Sequence, residues 1–149
     1  MSYGKNLNLD DSVNELRKRA MLATSEIKND KELENILIES DNLQEESLSA
    51  IDISYLHHLR SGINLTLGFF KEAVTEADKS LEGLGEESYP LFIKGEALYH
   101  SGKIEEGMSL LLKSMEINPN NYAIYRKLGL VYAEQGQTDE AIQMFNHLI

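Results

Sequence analysis

The sequence predicts an all-α chain of stacked helical hairpins, and three observations carry that expectation. Gly68, Gly102 and Gly136 recur every 34 residues, and each closes a segment of helical type. Within those segments the apolar residues recur at i, i+3, i+4 and i+7, the spacing of one helical face. The 34-residue step also lays small residues on small residues: Ser61 on Gly95 and Gly129, and Ala73 on Gly107 and Ala141. Turn-forming clusters, Gly83-Leu84-Gly85 and Asn118-Pro119-Asn120-Asn121, mark the boundaries between units.

Taken in order, residues 1–10 are polar and are expected to be disordered. Residues 11–53 stand outside the register and are expected to form an atypical capping hairpin, because terminal repeats need a polar outer side. Ser12-Val13-Asn14-Glu15 has capping-box form, and Val13, Leu16, Ala20, Ala23 and Ile27 share a helical face. Asn29-Asp30-Lys31-Glu32 starts a second helix with Leu33, Ile36, Leu37 and Ser40 on its inner side. Gln44 to Ala50 reads as a short helix or a loop. Three units follow, at about 54–87, 88–121 and 122–149. In the second, Ser88 is a candidate cap with Pro90 in the first turn. Gly95, Leu98 and Tyr99 precede its turn, and Ile104, Gly107, Met108, Leu111 and Leu112 follow it. In the third, Tyr125, Leu128, Gly129 and Tyr132 share a face, and Thr138 is a candidate cap for the stripe Ala141, Met144, Phe145 and Leu148. The small residues belong where the two helices of a hairpin cross, since a larger side chain forces them apart.

Composition narrows the function classes. The 149 residues, 42% hydrophobic and 26% charged, suffice for one domain with a continuous core. A net charge of -11 argues against a nucleic-acid surface, which relies on lysine and arginine to displace counterions. No apolar run approaches the roughly 20 residues of a membrane span, and the opening residues are polar where a secretory leader is apolar. A cytoplasmic address without membrane insertion is therefore expected. The lack of cysteine removes thiolate nucleophiles, disulfides and cysteine-ligated zinc. His57 and His58 diverge by about 100° on a helix and do not converge on one ion. No nucleophile elbow, phosphate loop or dinucleotide glycine pattern is present. Neither a catalytic residue, a metal nor a cofactor is expected.

The run Tyr125, Leu128-Gly129, Tyr132, Gly136, Ala141 and Phe145 resembles the tetratricopeptide repeat, a 34-residue helix-turn-helix unit. The middle unit joins it through Gly95, Gly102, Leu111 and Pro119, and the first through Ser61, Gly68 and Ala73. Departures are Gly107, where the family favours alanine, and His57, Asn64 and Ala77, which replace larger residues. The resemblance implies a right-handed α-solenoid over about 54–149 in which the first helix of each unit lines a concave groove. The implied groove positions are Tyr55, His58, Gly62 and Leu65; Tyr89, Phe92, Glu96 and Tyr99; and Ala123, Arg126, Leu130 and Ala133. It also implies a non-enzymatic scaffold or chaperone-like adaptor for a protein or peptide ligand; these groove residues suit an apolar segment, and the acidic charge balance favours an apolar or basic one. A carboxylate-clamp function is disfavoured, since His58, Gly62, Ile93, Ala123 and Lys127 stand at its positions and only Lys127 keeps the charge. Two alternatives are a self-association module and a regulatory piece of a longer protein. Both arise because Asn146-His147-Leu148-Ile149 leaves an apolar stripe uncovered, to be buried by further repeats or by a partner that includes a second copy.

Overall fold

The computed structural model describes residues 8–25 and 29–149. The described chain runs through α1 (Asp11–Ser25), α2 (Asp30–Asp41), a 3-10 turn (Glu45–Ser47), α3 (Ala50–Leu67) and α4 (Phe70–Leu84). It continues through α5 (Ser88–His100), α6 (Ile104–Ile117), α7 (Tyr122–Glu134) and α8 (Thr138–Asn146), with no strand among the described residues. Helices pair as hairpins α1–α2, α3–α4, α5–α6 and α7–α8, and α4–α5 and α6–α7 contacts stack the last three. This is the all-helical solenoid that the glycine register predicts. Gly68, Gly102 and Gly136 end α3, α5 and α7 with φ of 86°, 93° and 76°, a left-handed conformation open to glycine without a Cβ penalty.

Several local expectations are corrected. The cap of α1 is Asp10, whose carboxylate accepts from the Ser12 N–H at 2.9 Å, so the helix begins ahead of the Ser12 capping-box reading. The expected disorder of residues 1–10 falls on residues of which 1–7 lie outside those described. Leu9 is buried, and the Asp10 N–H donates to Asp52 at 2.8 Å. Ile27 also lies outside the described residues. Ser88 and Thr138 are not caps: each is the first residue of its helix, and Glu87 and Gln137 precede them without a side-chain cap bond. The Ser88 hydroxyl instead faces α6, donating to the Ser114 carbonyl at 2.9 Å, while the Ser114 hydroxyl returns a bond of 2.6 Å to the Ser88 carbonyl. Gly83, expected in a turn, lies in the last turn of α4 against Ser54 of α3. The first repeat helix starts at Ala50, ahead of Ser54, because Ser49 and Asp52 build a reciprocal capping box. Asn29 caps α2 as expected, accepting from the Glu32 N–H at 3.1 Å.

The hairpins close through the small residues. A Cβ on Gly95 falls 2.9 Å from the Gly107 carbonyl oxygen, and a Cβ on Gly107 falls 2.7 Å from both the Gly95 oxygen and the Tyr99 nitrogen. The middle hairpin thus crosses backbone to backbone. In the last hairpin the obstacle is a side chain: a Cβ on Gly129 meets the Phe145 ring at 2.5 Å. Around these crossings, one apolar cluster joins α1, α2 and α3 through Val13, Leu16, Leu33, Ile36 and Leu59. A second joins α5, α6 and α7 through Ile93, Leu111, Ile124 and Leu128.

His58 sits inside this packing at 1% exposure, its ring 5.4 Å from Tyr55 and 5.2 Å from Tyr89. Burial pushes its pKa down to about 3. His57, the next residue, points to α4 and bonds Glu76 at 2.6 Å. The pair diverges as the helical geometry requires.

Two tests follow from this packing. Gly107→Ala, although alanine stands at the equivalent positions 73 and 141, is expected to destabilise the fold by roughly 1–3 kcal/mol, because the clash is with backbone that no rotamer relieves. Thermal denaturation of the variant checks this, and an unchanged or raised melting temperature refutes it. The second test concerns acid. The unfolded state protonates His58 near pH 6.5 and the folded state does not until about 3, so stability is full above 6.5 and falls as the pH drops through this window. The slope is up to about 1.4 kcal/mol per pH unit. His58→Leu should flatten the melting profile between pH 6.5 and 5; parallel profiles would show that His58 is not held neutral.

Candidate functional site

The inner face of α3, α5 and α7 is concave because α4, α6 and α8 back the hairpins on the other side. It encloses a groove of about 690 Å³. Eight of the residues expected there line it: Gly62 and Leu65 from α3, Tyr89, Phe92 and Glu96 from α5, and Ala123, Arg126 and Leu130 from α7. Tyr89 and Phe92 pack ring to ring at 5.9 Å, and burial raises the Tyr89 phenol above its ordinary range, with Glu96 adding to the shift.

Four expected residues stand elsewhere, among them Ala133, which is exposed on α7 outside the groove lining. Tyr55 is 3% exposed within the α1–α3 core, and burial likewise raises its phenol. His58 is buried and lines only a smaller cavity of about 170 Å³ beside the groove, formed with Ala20, Met21 and Thr24 of α1. Tyr99 turns toward α7, where its hydroxyl donates to Glu134 at 2.5 Å, a bond that holds the phenol protonated. Phe92 lines the groove yet is only 8% exposed and belongs to the α5–α7 core, so it supports the wall as much as it offers a surface.

The groove floor carries a neutralised charge. Lys127 Nζ lies 2.6 Å from Glu96 Oε1, and His100 Nε2 approaches the same oxygen at 3.7 Å. Glu96 therefore offers no free negative charge within the groove. Ile93 and Lys127, weighed above only as clamp positions, also line the groove, and sequence reasoning missed five further lining residues: Thr24, Thr66, Gly68, Phe70 and His100. His100 was within reach, since it follows Glu96 by four residues on one helical face. Phe70, at the start of α4, enters by stacking on His100 at 5.2 Å, and Thr24 comes from α1, outside the repeat register. Neither had a periodic signal.

Comparison with known proteins agrees with this fold. Residues 110–143 match the tetratricopeptide repeat family model. That window runs from the middle of α6 through α7 into α8. A search of the curated proteins matches none. Among solved structures the chain is similar to MamA, with a TM-score of 0.62 at 14% identity, covering 91% of this chain and 85% of that one. It is also similar to MamA residues 41 to the end from Desulfovibrio magneticus RS-1, with a TM-score of 0.56 at 13% identity and coverage of 93% and 94%. The MamA RS-1 ArsTM double mutant gives a TM-score of 0.55 at 14% identity, with 93% of each chain covered. At such identities these likenesses speak for the fold alone. The resemblance read from the glycine register therefore holds at the level of the matched window and the fold: residues 110–143 match the tetratricopeptide repeat, and the chain folds as an α-solenoid of helical hairpins.

Proposed function

We propose that this chain is a non-enzymatic protein-binding scaffold that takes a peptide segment of its partner in the groove formed by α3, α5 and α7. The observation that carries the reading is the continuous groove of about 690 Å³ with Leu65, Tyr89, Phe92 and Leu130 around the Glu96–Lys127 pair. Concave apolar surfaces with a few fixed polar groups are where ligands gain most from burial. The histidine and acidic side chains that an enzyme would draw on are paired within the fold, His57 with Glu76 across α3 and α4 and His100 with Glu96 along α5. No helix among the described residues is long and apolar enough to cross a membrane, and a cytoplasmic address is part of this proposal.

A second reading has its own observation. On α8 and beyond it, Ile142 is 51% and Leu148 42% exposed, an apolar face suited to a second copy of the chain.

The variants that separate the readings sit on exposed positions. Leu130 is 47% exposed and lines the groove, so Leu130→Asp is expected to lower the yield of specifically captured proteins about tenfold or more, with helicity by circular dichroism unchanged. Capture from native lysate read by quantitative mass spectrometry checks this. Ile142→Asp should leave capture intact. Loss of a concentration-dependent mass in Ile142→Asp, with capture indifferent to Leu130→Asp, would favour self-association and sink the groove reading.

A further inference from the structure

The groove's charges narrow its ligand more than its apolar walls do. The chain carries 25 acidic and 14 basic residues, yet the groove lining holds a single carboxylate, Glu96, against Lys127 and Arg126. Lys127 is spent on Glu96 at 2.6 Å. Arg126 is exposed, and among the described residues it joins no ion pair and no side-chain hydrogen bond. The other described arginines each have an acceptor: Arg17 on Asn14, Arg19 on Glu32 and Glu39, Arg60 on Asp41. An arginine open to solvent on an apolar wall, in a chain rich in carboxylates, has its guanidinium available to an anion. Its planar fork suits a carboxylate held by two bonds.

The place of Arg126 says where that carboxylate sits along the ligand. Arg126 lines the groove and also an adjoining cavity of about 300 Å³ walled by Tyr122 and Leu148. Space for apolar side chains thus continues on both sides of the guanidinium, and a chain seated there passes Arg126 without ending at it. Resting on the groove reading above, we propose that the ligand is an apolar peptide segment with an internal aspartate or glutamate. Arg126 takes that side chain, Leu130 and Phe92 seat apolar residues on one side of it, and Tyr122 seats one on the other.

The test uses random-peptide display on the full chain with two libraries, one flanked by carrier sequence at both ends and one with a free C-terminus. The flanked library is expected to enrich peptides with an acidic residue between apolar ones. In fluorescence anisotropy, changing that residue to its amide should weaken binding roughly five- to tenfold. Arg126→Glu should reverse the preference toward a lysine at that place, and Arg126→Gln should abolish the difference between acid and amide. Enriched peptides without an acidic residue, an amide that binds equally, or enrichment from the free-terminus library alone would each overturn the inference while leaving the groove in use. No enrichment from either library by the folded chain would sink the groove reading with it.

Discussion

In the middle hairpin the backbones of α5 and α6 come so close that a methyl group on either Gly95 or Gly107 would lie within 3 Å of the opposing main chain. The rest of the solenoid is arranged around that approach. α5 also packs on α4 and α3, so its distance from α6 sets where its outer face meets the preceding hairpin and where its inner face meets the groove. Close-packed interiors transmit such a displacement instead of absorbing it. The last hairpin solves the same problem with other atoms, Gly129 lying against the Phe145 ring, while in the first Gly83 meets Ser54 where the start of α3 and the end of α4 come together.

Buried polar groups then hold the crossings in register. Ser88 and Ser114 exchange hydroxyl bonds across α5 and α6, and Ser54 and Ser80, one repeat earlier, are buried at the equivalent places. Asp52 is 5% exposed and accepts from Asp10, from the Ser49 N–H and from the Ser49 hydroxyl. Burial pushes its carboxyl upward, but these bonds together outweigh that and leave it below its ordinary range. One carboxylate thereby joins the segment before α1 to the start of the first repeat helix. A satisfied buried group of this kind specifies a single arrangement more sharply than apolar contact does.

The groove inherits its character from these constraints. Because α5 is buried on most of its surface, its groove side is built from residues that also belong to the core, Phe92 above all. The adaptable surface is displaced to α7, where Arg126 and Leu130 are exposed, and to the α3–α4 turn, where Phe70 stacks on His100. Binding and stability are thus partly separable: α7 can be altered without opening the centre of the solenoid.

The helix content, the hairpin stacking, the turn glycines and the crossing residues were legible from periodicity, because a 34-residue repeat leaves the same physical requirement at the same place in each unit. The position of Leu65, Tyr89, Phe92, Glu96, Arg126 and Leu130 on one groove was legible for the same reason. Burial depth was not. Tyr55 and His58 hold positions equivalent to Tyr89 and Phe92, yet α1 covers them, and α1 lies outside the register. Pairing was equally hidden: Glu96 is cancelled by Lys127 of another helix, Tyr99 is drawn away by Glu134, and Ser88 bonds Ser114 where a cap was expected. A periodic pattern reports which face a residue occupies on its own helix. Which atom meets it there depends on how the neighbouring helix is turned and how near it stands, and that is set by packing across the whole chain.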